Sequence, residues 1–432
     1  MRDEKLKKRN IELLEEFFGD SPFKDFAFKL WDGTVWKPEG AGEPVFTVIL
    51  NHPKTLANML VFPVDRRLGE SYIYGEFDVE GDMIALFSME THIERKYKQM
   101  VKRPAFWGKI ISLLNAKVKF QKLHSTRKAA RLRGKIHSIE RDKQAISYHY
   151  DVSNEFYSLW LDELMNYSCA YFRDWNEDIH TAQKNKLELI CRKLRLREGE
   201  KVLDIGCGWG GFLIYAAQKY GIKGYGITLS KNQYEYANEK IKELGLQDRI
   251  RVDYRDYREM EEWASFDKIV SIGMFEHVGK EMLEEYFRRA YKLLKHGGLF
   301  LNHGITRRKP RKTPARWSFS ATYIFPDGEL QSISHTLAVA EKVGFEVRDV
   351  ENLREHYAKT LWHWAKRLEE NREKALQYVD EVVYRTWRMF LTGSSYGFKS
   401  ELFGLHQALL VKNFPDGSNN LPINREDLYR NW

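Results

Sequence analysis

Two hydrophobic rhythms divide the 432-residue chain. Over residues 1–91 alternating runs sit among helical ones. A charged helix is expected from Glu4 to Phe18, strand pieces at Phe26–Leu30, Thr34–Trp36 and Pro44–Leu50, a helix over Pro53–Leu60 and a strand over Ser71–Val79. That mixture predicts a small α+β accessory domain. From residue 178 onward, helical periods and short apolar runs take turns. Helices are expected at Asp178–Leu194, Phe212–Tyr220, Lys231–Leu244 and Lys280–Leu294, the last closed by a Gly297-Gly298 stop. Strands fall between them at Val202–Ile205, Gly221–Leu229, Ile250–Tyr254, Phe266–Gly273 and Leu299–Ile305. A helix at Ser332–Val343, a strand at Phe345–Val350, aromatic-rich helices at about Glu355–Asn371 and Glu373–Leu391, and a strand at His406–Lys412 complete the pattern. Such alternation predicts an α/β fold with a doubly wound parallel sheet. Ligands bind these sheets beyond the carboxyl ends of the strands, so Gly206, Thr228, Asp256, Gly273 to His277 and His303 are predicted to share one crevice.

Composition and charge narrow what this protein meets. No run is long enough to cross a bilayer, and the opening MRDEKLKKRN lacks the apolar core of a signal peptide, so a cytoplasmic location is expected. Cys169, Cys191 and Cys207 have no metal-type spacing, and neither a metal site nor a disulfide framework is expected. The net charge of +9 favours an anionic partner. Between Arg95 and Ser138 there is no Asp or Glu, against fourteen Lys and Arg, and Phe106–Leu114 sets aromatic and aliphatic residues around Lys109 in the middle. Residues 92–139 therefore read either as a basic amphipathic linker at an anionic membrane surface or as a solvated linker with one face docked on the core. A second basic stretch is the proline-containing loop Arg307–Arg316. No nucleic-acid motif accompanies the charge, and no nucleic-acid partner is expected.

The candidate chemistry centres on Lys201–Gly211, KVLDIGCGWGG. A short strand runs into glycines at 206, 208 and 210 and then into a helix, a turn that lets a ligand approach more closely than a Cβ would permit. The spacing is GxGxG and not the GxGxxG of dinucleotide sites. Asp204, just ahead, would oppose a phosphate but suits a ligand carrying an ammonium and a sulfonium. The aromatic-rich stretch from His149-Tyr150-Asp151 to Phe172 precedes this domain, where it is placed to form a lid.

Three motifs carry a resemblance: Tyr167-Ser168-Cys169-Ala170-Tyr171, Val202-Leu203-Asp204-Ile205-Gly206-Cys207-Gly208-Trp209-Gly210-Gly211, and Gly273-Met274-Phe275-Glu276-His277-Val278-Gly279. Over residues 140 to 412 the chain resembles the cyclopropane-fatty-acyl-phospholipid synthases, S-adenosylmethionine-dependent enzymes that add a methylene across a cis double bond of phospholipid acyl chains. The resemblance implies a class I methyltransferase, Rossmann-like catalytic domain over 140–432, membrane phospholipid as partner, a peripheral position at the inner membrane face and a possible homodimer. A related lipid methyltransferase that leaves a methyl branch is the alternative.

The resemblance also assigns residues. Methyl-donor binding is expected of Tyr167, Ser168, Gly206, Gly208, Thr228, Leu229, Gln233, Asp256 and Tyr257. Strand two ends in Thr228-Leu229-Ser230, with no acid for the ribose hydroxyls, so neutral Thr228 and Gln233 are expected to serve. Methyl transfer leaves a carbocation, which aromatic faces can ease; Tyr171, Phe172 and Trp175 are candidates, with core packing as the plainer reading. The base implied by the family is a bound bicarbonate, held by Cys169, Glu276, His303, the backbone of Ile305, and Tyr357. Taken alone, Cys169 would be an inert buried thiol, His303 a satisfied core histidine and Tyr357 helix packing.

Overall fold

A computed structural model describes residues 2–150, 152–308 and 317–430. Asp151 and most of the basic loop Arg307–Arg316 lie outside the described residues. Two compact units emerge.

The first gathers the described residues of Met1–Ala129, Thr313–Ile324 and Val379–Tyr396. Its four-stranded sheet has the order β2-β1-β3-β4, with β1 Phe26–Lys29, β2 Val35–Trp36, β3 Phe46–Leu50 and β4 Phe77–Gly81. Phe46, Val48 and Leu50 alternate inward along β3 and join Phe18, Phe26, Phe28 and Trp36 in an aromatic core. The Ser71–Val79 run is not one strand. Ser71 to Ile73 end the helix Val64–Ile73, and Gly75, at φ +78°, turns the chain into β4. Residues 379–396 belong here because Arg385 of the helix Glu381–Lys399 donates to the Tyr72 and Phe77 carbonyls at 2.8 and 2.6 Å.

The basic run is helical rather than linker-like over Glu90–Met100 and Pro104–Leu114. Phe106, Ile110 and Leu113 are buried, so the main apolar face of the second helix is docked on protein; Trp107 and Ile111 remain outside, 36% and 54% exposed. Several cations of the run answer acids elsewhere in the unit: Lys96 pairs with Asp20, Lys109 with Glu12 and Glu16, and Lys122 with buried Glu76.

In the second unit seven strands have the order β10-β11-β9-β8-β5-β6-β7. They are β5 Lys201–Ile205, β6 Lys223–Thr228, β7 Ile250–Tyr254, β8 Phe266–Ile272, β9 Leu294–Thr306, β10 Glu346–Asn352 and β11 Gly404–Val411. Strands β5 to β9 are mutually parallel as expected, but β11 runs antiparallel between β9 and β10. The sheet is therefore mixed. Both of its faces are covered. Val202, Leu299 and Leu301 pack with helix residues Leu187, Ile190, Leu213 and Ile241, while Leu203, Phe300 and Leu410 pack with Tyr286, Phe287, Leu293 and Ala340. Period-two alternation within near-continuous apolar strands produces these two layers. Gly297-Gly298 does not stop the chain before β9 but lies inside it, because Gly297 N–H donates to Lys412 O and Gly298 O accepts from Lys412 N–H across the sheet.

Candidate active site

Local sequence builds the cleft at the carboxyl ends of β5, β6 and β8. Gly206, Gly208 and Gly210 all have left-handed backbones, with φ of +84°, +56° and +86°. A Cβ on Gly206 would lie 2.6 Å from Met274 Cγ, whereas one on Gly208 would meet nothing within 4 Å. The first glycine fits the backbone to its neighbour and the second leaves the cleft open.

All nine residues expected to bind the methyl donor line this cleft: Tyr167, Ser168, Gly206, Gly208, Thr228, Leu229, Gln233, Asp256 and Tyr257. Thr228 Oγ1 donates to Gln233 Oε1 at 2.8 Å, joining the two neutral groups expected at the ribose. The Asp256 carboxylate caps the turn at Tyr257 and accepts Arg258 Nε and Nη2 at 2.8 and 2.6 Å. It thus reaches the cleft already engaged. Asp204 is buried with Oδ1 unpartnered, and desolvation raises its carboxyl to about 7. The buried Lys186 ammonium on the same wall acts in the opposite direction and favours the carboxylate. Burial also lowers the cleft-lining His277 to about 4, leaving its ring neutral.

The expected base-holding residues are not on the cleft wall, though they adjoin it. Glu276 lies between the lining residues Met274 and His277, and His303 O accepts the N–H of lining residue Gly273 at 2.8 Å. Glu276 is buried, its carboxyl raised by desolvation to about 7; Oε1 accepts the Ile305 backbone N–H at 2.7 Å, and Oε2 has no partner. The Ile305 amide is thus already given to Glu276. Gln407 Nε2 donates to His303 Nδ1 at 3.0 Å, which leaves the ring proton on Nε2, and that nitrogen is buried and unpartnered. Burial pushes the Tyr357 hydroxyl and Cys169 thiol well up, and Tyr357 also feels the charges of Cys169 and Glu276. The Cys169 Sγ points at the carbonyls of Ala170 and Leu353.

The aromatic trio Tyr171, Phe172 and Trp175 does not line the cleft. Tyr171 and Phe172 stack on His356, Phe172 also on His363, and Trp175 is half exposed, a position that shields nothing from water. The aromatic walls of the cleft are Tyr150, Tyr167, Trp209, Phe212 and Tyr257. Sequence reasoning also missed Lys186, fully buried on the cleft wall. Its signal was present: within Ile179–Leu194 it shares the inward stripe of Ala182, Leu187 and Ile190.

Sheet order, the glycine turn after β5 and the cleft at the strand ends define a class I S-adenosylmethionine-dependent methyltransferase. Residues 137–408 match the model of the mycolic acid cyclopropane synthetase family, and the chain belongs to that family. It is 39% identical over 406 residues to a protein named "Probable fatty acid methyltransferase" from Pseudomonas putida, covering 93% of this chain and 95% of that one. Cyclopropane mycolic acid synthase 1 of Mycobacterium tuberculosis is 36% identical, over 61% of this chain and 94% of its own. Among solved structures, the cyclopropane synthase MmaA2 from Mycobacterium tuberculosis superposes with a TM-score of 0.60 at 34% identity, covering 62% of this chain and 98% of that one. The mycolic acid cyclopropane synthase CmaA1 complexed with SAH and CTAB gives 0.59 at 35% identity, covering 62% and 97%. The first unit lies largely outside the family match, while the Pseudomonas protein spans both.

Proposed function

We propose that the protein closes a cyclopropane ring across the cis double bond of unsaturated acyl chains in membrane phospholipid, as a cyclopropane-fatty-acyl-phospholipid synthase. The observation that carries this reading is two unspent buried groups, Glu276 Oε2 and His303 Nε2, on segments that meet where Glu276 Oε1 accepts the Ile305 backbone N–H. Buried polar atoms without partners are costly and are retained where a ligand completes them. An acceptor and a donor together suit an anion that keeps a proton, and bicarbonate has that form. Glu276, His303, Cys169 and Tyr357 would hold it, and it would supply the base for a proton lost from the transferred methyl group.

S-adenosylmethionine supplies an electrophilic methyl, which an isolated alkene, a poor nucleophile, requires. The chain contributes placement and dryness. Tyr150, Tyr167, Trp209 and Tyr257 wall the cleft with aromatic faces that favour a cation and keep water away. Buried Asp204, already under the field of Lys186, would gain a second cation when the donor enters. Among the described residues no helix is long and apolar enough to cross a membrane. Contact with an anionic membrane surface falls to Trp107 and Ile111, which stand exposed beside exposed Lys102 and Arg103.

A second reading is favoured by the names of relatives: the Pseudomonas protein and one from Mycobacterium tuberculosis are both called probable fatty acid methyltransferases. A methyl-branched product would follow if the cation lost its proton elsewhere. Incubation with S-adenosylmethionine and vesicles of unsaturated phospholipid is expected to add about 14 mass units per modified chain, with ring protons in the NMR spectrum of the product. Methyl-branch signals at the same mass would select the second reading, and an unchanged lipid would remove both.

A further inference from the structure

Lys186 has no part in the chemistry described so far, yet it is held at the cleft at some cost. It lies on the inward face of the helix Ile179–Leu194, 1% exposed, and forms the cleft wall together with Ser168, Asp204 and Gly206. Its Nζ donates to Ser168 Oγ at 3.0 Å and to Asn166 Oδ1 at 3.3 Å. Both acceptors are neutral, and among the described residues the ammonium forms no ion pair. The carboxyls of Asp162 and Asp204 act on the ammonium through space without pairing with it, so no opposite charge meets it directly, and a buried charge in that position lowers stability unless one joins it.

The neighbouring hydrogen bonds decide which protons are left over. Asp162 accepts the backbone N–H of Asn166 at 2.7 Å and its Nδ2 at 2.8 Å, which turns Asn166 Oδ1 to the lysine. Gln183 Nε2 donates to Ser168 O at 2.8 Å and fixes the same segment to the helix. A lysine ammonium only donates, so Ser168 Oγ is occupied as an acceptor and its own proton is free to donate. One ammonium proton is also unspent. Two donors and a positive charge therefore stand on one wall of the cleft.

S-adenosylmethionine carries a single anionic group, the α-carboxylate of its amino-acid end. We propose that Lys186 is a positioning residue for the methyl donor: its ammonium holds the Ser168 hydroxyl as a donor toward that carboxylate and supplies the positive field the carboxylate needs in a buried cleft. Desolvation lowers the amine to about 8, which keeps most of it charged at neutral pH. This inference rests on the cleft binding S-adenosylmethionine and is indifferent to which lipid is modified.

The test compares two ligands by calorimetry: S-adenosylhomocysteine and its decarboxylated analogue, S-adenosyl-3-thiopropylamine. The wild-type protein is expected to prefer the carboxylate-bearing ligand by about ten- to a hundredfold, the range of a hydrogen bond to a charged group. Lys186→Met should erase most of that preference while binding the analogue within about twofold of wild type. Equal weakening of both ligands would mean a merely structural lysine, and an unchanged preference would mean that the carboxylate is held elsewhere; either overturns the proposal. Should Lys186→Met fail to fold by thermal denaturation, Ser168→Ala decides, since a Ser168→Ala protein that keeps the preference overturns it as well. A wild-type protein that binds neither ligand would overturn the donor assignment itself, a separate failure.

Discussion

The donor cleft and the Glu276–His303 region beside it are built by opposite means. In the cleft, consecutive backbone positions do most of the shaping, and several polar side chains are paired, Thr228 with Gln233, Asp256 with Arg258 and Ser168 with Lys186, while Asp204 Oδ1 is left open. The neighbouring region draws single residues from separate segments, Cys169, Glu276 from the turn after β8, His303 from β9 and Tyr357 from the helix Arg354–Glu370, and leaves Glu276 Oε2 and His303 Nε2 unpartnered. Prior pairing makes a site rigid for a ligand of fixed shape. Unspent groups make a site that a small ligand must complete. On the proposed function, this contrast would separate holding the donor from removing the proton.

The largest expected effect tests that separation directly. Glu276→Gln should lower turnover at least about a hundredfold, the scale of a lost acid–base group, while S-adenosylhomocysteine binds within about twofold of wild type. Parallel loss of both would merge the two regions into one. Removing dissolved bicarbonate from the assay is expected to slow turnover by about tenfold or more without changing S-adenosylhomocysteine affinity, and normal turnover under strict exclusion would take the bound anion out of the account.

Gly206→Ala acts on the other side of the comparison. Its Cβ would meet Met274 at 2.6 Å on a left-handed backbone, and S-adenosylhomocysteine affinity should fall by about tenfold. An unaltered dissociation constant would show that the turn yields and that the cleft is less rigid than its backbone suggests.

The smallest effect concerns pH. Burial raises the Glu276 carboxyl from 4.5 to about 7, so the folded protein holds a proton that the unfolded chain releases between those values. The linked stability is fully present below about 4.5 and is lost as pH rises through about 7. Glu276→Gln cannot ionise, so its unfolding temperature relative to wild type should rise by a few degrees between about pH 5 and 8. Parallel curves would mean that the carboxyl is well solvated and that the contrast between the two regions is overstated.

Much of this was legible in the chain. Strands β5 to β8 fall where short apolar runs predict them, and helices begin where Asp178, Ser230 and Ser332 offer capping oxygens. Gly206, Gly208, Thr228, Leu229, Asp256 and Tyr257 could be placed at the cleft because they end or follow strands, and a parallel sheet delivers strand ends to one edge, whereas Tyr167 and Ser168 reach it from a loop that only the motif resemblance singled out. Where expectation failed, the reason was a neighbour distant in sequence. Gly297-Gly298 resembles a stop until Lys412 bonds to both sides of it. Tyr171 and Phe172 stack on the helix carrying His356 and His363, which is the core packing that was their plainer reading.

The sequence by itself determined the strand–helix rhythm, the glycine turn and the residues at the strand ends, because propensity, capping and left-handed backbone are local properties. Tertiary structure alone decided the antiparallel insertion of β11, the assignment of residues 379–396 to the first unit, the spending of the Ile305 amide on Glu276 and the burial of Lys186. Each of these depends on which groups are withdrawn from water together, and desolvation is settled only when distant segments pack.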